Sequence, residues 1–258
     1  LGPVDILADS GVLPGVLSVG PLHTTDETLD AWKAKVTGGN KALIWPQVHV
    51  FTRQSAAALA KAGVHAGTRM VIAQSRRHLV EVGDCLAGYF LDDRVCLTIM
   101  LAAAMELRAA KTKPAHDVYL VATCQEEIAG GSAAHAARTL PGATTLAIDV
   151  GPVAQEYGTE LSDAPIVVYC DARGVYTQAV CDRLLAIGRK MKLEPQTAHW
   201  ESYGSDASCS KQVGNTPRTG LLCIPTENTH GFEIIPKGAI LPCAKLLAEY
   251  LRAPEVAR

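Results

Sequence analysis

The chain reads as α/β, a mixed central sheet with helices on both faces, preceded by a small β-rich domain. Two patterns predict this. From about residue 85 onward, near-continuous apolar runs of strand length alternate with stretches of helical periodicity, the pattern of a sheet covered on both sides. Residues 1–84 instead break into short apolar runs punctuated by Gly and Pro, as at 11–20 and 41–51, which suggests short strands joined by turns. With 48% hydrophobic and 19% charged residues among 258, the apolar material suffices for a core and excludes disorder.

Within residues 1–84 one helical segment, 55–62, and one further strand, 69–73, interrupt the turns. Residues 93–111 carry an apolar stripe among good helix formers. Residues 117–124 are an apolar run of strand length, followed by a small-residue helix at 131–139. Strands are expected at 143–150, 165–170 and 218–224, and long helices at 174–192 and 238–252.

Composition excludes several functions. The net charge is −2 and aromatic residues make up 5%, so there is neither a basic field nor a stacking platform for nucleic acid, and no basic patch for an anionic membrane. The most apolar stretch, 95–105, is about half the length a bilayer requires. Eight cysteines show no C-x-x-C spacing and several lie in apolar runs, the pattern of reduced, buried thiols and a cytoplasmic location. No signal or transit peptide is visible, and the first residue is Leu, so the chain reads as processed or truncated.

In sheets of this kind ligands bind beyond the carboxyl ends of the strands. Acidic residues and one His fall at such places: Glu126 and Glu127 after the run ending at Cys124, Asp149 near the end of 144–150, His230 a few residues past 221–225, and the pair Asp92 and Asp93 at the start of an apolar helix. Each alone has an ordinary structural explanation, as a helix cap, a first-turn acid, a turn residue or a structural imidazole. Together they form an oxygen-rich donor set with one nitrogen, which suits Zn, Co or Mn. Adjacent glutamates can divide labour, one binding metal while its neighbour takes a proton from the attacking water.

At these residues the sequence resembles the glutamyl, or tetrahedral, aminopeptidase family of co-catalytic metallopeptidases. The matching segments are Phe90-Leu91-Asp92-Asp93-Arg94, Val121-Ala122-Thr123-Cys124-Gln125-Glu126-Glu127, Ala147-Ile148-Asp149-Val150, Tyr203-Gly204-Ser205-Asp206-Ala207 and Ile224-Pro225-Thr226-Glu227-Asn228-Thr229-His230, in family order and with family-like spacing. The resemblance implies a phosphorylase/hydrolase-like metallopeptidase domain at 85–258, lacking its N-terminal portion, and part of an inserted β-barrel dimerisation domain at 1–84. It also implies roles: Asp92 bridging two divalent ions, Asp93 orienting the site after a cis peptide, Glu126 as general base, Glu127 and His230 on one metal, and Asp149 on the other. Residues around Gly204, Ser205 and Asp206 would line the substrate pocket. The activity implied is removal of N-terminal residues from short peptides by a homo-oligomer, from a dimer up to a dodecamer. The rivals are a related co-catalytic deacylase and a non-catalytic scaffold.

The sequence departs from the family in several places. The family's further His ligand lies in a His-x-Asp motif upstream of the insertion, and this chain begins after that point. The chain is therefore read as an N-terminally incomplete form whose second metal site keeps only Asp92 and Asp149 and is expected to be weak or empty, leaving one ion in place of the family's two. Among the remaining histidines, His199 is the one candidate replacement. Cys96 stands where the family often has Gly, and Glu227 near the pocket would disfavour acidic substrates.

Overall fold

The computed structural model describes residues 1–20, 45 and 48–253. The chain divides into two compact units, Leu1–His78 and Leu79–Arg258.

In the first unit, β1 (Pro3–Ala8), β2 (Gly11–Ser18), β3 (His49–Phe51) and β4 (Arg69–Ile72) form an antiparallel sheet in the order β3-β2-β1-β4. Alternation turns Val4 and Ile6 of β1 inward, 3% and 6% exposed, against buried Ala73. Pro14 interrupts β2 at no cost to β3, because β3 pairs only with 16–18. Helix α1 (Ala56–Lys61) starts at Ser55, whose hydroxyl accepts from Ala58 N at 3.2 Å. The expected strand at 41–51 lies mostly outside the described residues, as does His23, and β3 is its described part.

In the second unit, β5 (Val80–Val82), β6 (Cys85–Tyr89) and β12 (Phe232–Pro236) make a three-stranded antiparallel sheet in the order β12-β6-β5. The larger sheet comprises β7 (Thr144–Pro152), β8 (Ile166–Asp171), β10 (Gln196–His199) and β11 (Arg218–Thr226) in the order β10-β8-β11-β7, with β9 (Gly174–Val175) hairpinned onto β8. It is mixed: β11 runs parallel to β7 and antiparallel to β8, and β10 runs parallel to β8. Val167, Val168, Leu221, Leu222 and Ile224 are completely buried in it. The helices are α2 (Leu91–Ala109), α3 (Glu126–Ala129), α4 (Gly131–Thr139), α5 (Gln178–Lys190), α6 (Asp206–Gln212) and α7 (Ile240–Arg252). The long ones bury stripes at helical spacing: Val95, Cys96, Ile99, Ala103 and Leu107 on α2, and Val180, Cys181, Leu184 and Gly188 on α5. Helices α2 and α5 both pack on α7, while α4 packs on α6.

Two expectations change. Residues 117–124 are not a strand. Among the described residues they have no ladder partner, and Val118, Tyr119 and Leu120 are 38%, 48% and 46% exposed, so an apolar run of the right length stays unpaired. A cavity of about 500 Å³ lies between this segment and β7, the end strand of the sheet path. The helix expected at 174–192 begins only at Gln178, because Gly174–Val175 turns back to pair with β8.

Leu184 is 0% exposed on the inner face of α5. Replacing it with Ala removes buried methyl groups and leaves a void, so Leu184→Ala should cost about 2–5 kcal/mol. Denaturant unfolding would read this as a lower midpoint at unchanged slope.

Candidate active site

The parallel pairing of β7 with β11 brings their carboxyl ends to one edge of the sheet. Asp149 stands three residues before the end of β7 and is 6% exposed, its Oδ1 accepting from Val150 N at 2.7 Å. β11 continues into a turn that closes with a Glu227–Ile234 bridge to β12, and within it Asn228 and His230 take φ of 59° and 60°. That turn carries the His230 ring, whose side chain is largely exposed.

The Asp pair is set by a break in the helix. Phe90 adopts φ 64°, the Asp92–Asp93 peptide is cis, and neither aspartate has helical torsions although the hydrogen-bond pattern of α2 runs through them. Leu91 N donates to Glu233 Oε2 at 2.8 Å, tying this corner to β12. Arg94 turns back, donating to the carbonyls of Tyr89 and Phe90 at 2.7 and 2.6 Å. The Glu pair opens α3 after Gln125 at φ 61°, and Gly130 at φ 59° ends it. A Cβ at Gly130 would lie 2.8 Å from Cys209, so both the torsion and the space require glycine there.

Three of the expected residues converge closely. His230 Nε2 lies 3.2 Å from Glu127 Oε2 and 3.7 Å from Asp92 Oδ2, and the three side chains offer donor atoms within 4.8 Å of one another. A second group, Asp93, Cys96 and Asp149, does the same. Glu126 faces Asp93, Asp206 and Glu127. Among the described residues, none of these carboxylates has a Lys or Arg nitrogen within 4 Å. Asp93 Oδ1 is buried without a hydrogen-bond partner.

This crowding has an electrostatic signature. Burial, and then the charges of Asp93 and Glu127, push Asp92 up to about 8. Burial, and then Asp93, raise Asp149 well above the carboxylate range. Glu126 rises to about 7, from burial first and then Asp93, Asp206 and Glu127, against an opposing pull from Arg173. Clustered hard oxygen donors, one imidazole, an orphaned buried oxygen and no balancing side-chain cation fit one or more divalent ions.

Two neighbours were not read from the sequence as part of the site. Glu233 is 3% exposed and holds the Leu91 amide; its signal was a charged residue in the apolar strand β12. Cys96 points its thiol at Asp93 and Asp149. In the 204–206 loop, Ser205 is fully buried, and its hydroxyl caps α6 by accepting from Ser208 N and bonds Tyr176 Oη at 2.7 Å. Asp206 accepts from Thr123 Oγ1 at 2.7 Å, while its other oxygen is buried and unpartnered. His199 sits on β10, at the opposite end of the sheet path from β7 and outside both donor groups.

The profile of the M42 glutamyl aminopeptidase family matches residues 2–246. The chain belongs to this family. Among named relatives it is 26% identical over 168 residues to YhfE of Bacillus subtilis (strain 168), provisionally named an aminopeptidase; the match covers 64% of this chain and 47% of that one, so the chain spans about half the relative's length. Its fold is similar to aminopeptidase APDkam598 of the archaeon Desulfurococcus kamchatkensis, with TM-score 0.80 and 23% identity over 97% of this chain and 68% of that one. A TET aminopeptidase from a marine-sediment thaumarchaeon gives TM-score 0.85 at 17% identity, covering 97% and 69%. The Pyrococcus horikoshii TET1 peptidase, described as assembling into a tetrahedron or a large octahedral shell, gives 0.81 at 20%, covering 97% and 71%. The mixed α/β fold expected from the sequence is thus the fold of TET aminopeptidases.

The raised carboxyl groups set a pH dependence. Folded Asp92 and Glu126 hold protons that the unfolded chain releases near pH 4, so the stability linked to them is greatest below about pH 4 and falls as pH climbs to about 7–8; the raised Asp149 acts in the same direction. The melting temperature of cation-free protein should therefore lose this contribution between pH 5 and 8. Added Zn²⁺, Co²⁺ or Mn²⁺ should raise it more at pH 8 than at pH 5, because ligands must shed their protons to bind. Scanning calorimetry at the two pH values checks both signs.

Proposed function

We propose that the protein is a metal-dependent aminopeptidase that removes N-terminal residues from short peptides, acting as a homo-oligomer in the cytoplasm. The observation that carries this reading is the convergence of Asp92, Glu127 and His230, with Asp149 buried on the neighbouring strand end and Glu126 left free beside them. Family membership and the fold of TET aminopeptidases support it. All eight cysteines are free, and no helix among the described residues is long and apolar enough to cross a membrane.

Asp92, Glu127 and His230 would hold one divalent ion, and Asp92 with Asp149 would contribute to a second, zinc, cobalt or manganese being the fitting choices. When bound, such ions supply Lewis acidity toward the scissile carbonyl and a readily deprotonated water. Glu126 accepts the proton of the attacking water on its carboxylate and delivers it to the departing amine. Its position suits this role: half-buried, bonded to no described cation, and raised to about 7. Neutralising the neighbouring carboxylates would remove part of that rise and leave the base ionised at neutral pH. Glu233 holds the corner from which Asp92 projects, Asp206 lies near Glu126, and Asp93 and Gly204 would orient the site and line the substrate pocket.

Glu126→Gln keeps the shape of the side chain but cannot take the proton. Turnover of an unblocked short peptide should drop roughly 10²–10⁴-fold, while the number of ions held per chain, measured by elemental analysis, stays unchanged. Wild-type turnover in the variant would remove Glu126 from the role. Cleavage of N-acylated but not free-amine peptides by the parent protein would favour the deacylase reading, and a parent protein that holds no ions would favour the scaffold.

A further inference from the structure

The donor group at Asp149 differs from the one the sequence implies. Asp149 is joined there by Asp93 and Cys96, and one donor atom of each lies within 4.8 Å of the others. Cys96 follows Asp93 by three residues, about one helical turn. Both stand in α2, which packs on β7, the strand carrying Asp149. The helix thus places the sulfur and the sheet places the facing carboxylate.

The thiol lacks the partner that buried cysteines elsewhere in the chain have. Cys181 donates to the Val168 carbonyl at 3.3 Å and Cys243 to the Cys223 carbonyl at 3.7 Å. Cys96 is 1% exposed, and its polar neighbours are the carboxylates of Asp93 and Asp149. Asp93 Oδ1 is itself fully buried with no hydrogen-bond partner, and Asp149 is 6% exposed. All three residues line the cavity of about 500 Å³ beside β7, so space for an ion and its waters adjoins them. A buried orphan oxygen, a second carboxylate and a thiol opening on one cavity make a mixed oxygen and sulfur donor set.

We propose that Cys96 is a ligand of the second ion, its thiolate joining the carboxylates of Asp93 and Asp149. The proposal rests on the metal-dependent reading above and gives a sulfur donor to the site that the sequence leaves with two carboxylates. As the ion binds, the Cys96 S–H proton passes to solvent and a sulfur–metal bond forms, with no change of oxidation state. Sulfur also narrows the choice of metal. Thiolate suits zinc and puts manganese, a metal of oxygen sites, at a disadvantage, whereas Asp92, Glu127 and His230 offer only oxygen and nitrogen. The rival role for the thiol is a hydrogen bond to a carboxylate and nothing more.

The test loads cation-free protein with Co²⁺ and reads its absorption spectrum. A cobalt–thiolate bond gives a near-ultraviolet charge-transfer band that oxygen and nitrogen ligands do not give. The band should saturate at one equivalent per chain and vanish in Cys96→Ser. It should persist in Cys223→Ser, the control for a nearby buried thiol, because Cys223 is the register partner of Asp149 yet lies outside the donor group. X-ray absorption of the zinc-loaded parent protein needs no variant and should show a sulfur shell at about 2.3 Å beside the nitrogen and oxygen shell at about 2.0–2.2 Å. Zinc-loaded Cys96→Ser should retain one ion fewer per chain after dialysis. Metal bound without the band or the sulfur shell, or a band that survives Cys96→Ser, overturns the proposal and leaves the metal-dependent reading standing. A parent protein that binds neither metal sinks both. A cobalt–thiolate band in a protein that cuts no unblocked peptide sinks the aminopeptidase reading and leaves the Cys96 site.

Discussion

Like charges forced together are the constraint on which the site depends. Asp92, Asp93, Glu126, Glu127 and Asp149 are delivered to one edge of a sheet with no lysine or arginine nitrogen within 4 Å among the described residues. Such a cluster is stable only if protons or cations neutralise it, and burial raises the cost of leaving it charged. The surrounding structure holds it in place. The Glu233–Leu91 bond, the left-handed residues before each acidic pair and the capped α6 fix positions that repulsion would otherwise spread.

The residues that carry chemistry were legible because each falls at a recognisable boundary. Asp149 ends an apolar run, the Glu pair follows a segment of strand composition, and His230 lies just past the parallel partner of β7. A parallel sheet gathers strand ends by its topology, so convergence follows once the alternation of elements is read correctly. What was not legible depended on partners distant in sequence. Composition could not show that residues 118–120 lack a neighbouring strand, or that Gly174–Val175 would hairpin onto β8 and delay the start of α5. Nor could it separate Ser205 as a buried cap from Ser205 as a surface contact, since that depends on Tyr176 and Asp171. Glu233 was visible only as a charge out of place in an apolar strand, and its partner is 142 residues away.

The family match and the fold similarities agree although identity to the solved relatives is only 17–23%. At that distance most packing residues have changed while the layered architecture persists, as expected where core positions tolerate volume-conserving exchange. The mixed sheet order and the parallel β7–β11 pair bring Asp149 and the 227–231 turn to the same edge.

The three side chains of the closest donor group come from positions 92, 127 and 230, so one ion gripping them would join stretches separated by 35 and 103 residues of chain. Such a grip forms only in the folded chain, where the three donors are already gathered, so its binding free energy adds to the stability of the fold. The ion would then be a clasp as well as a reagent. It would tie the exposed turn bearing His230 to the rest of the domain and make the order of this turn depend on the supply of metal.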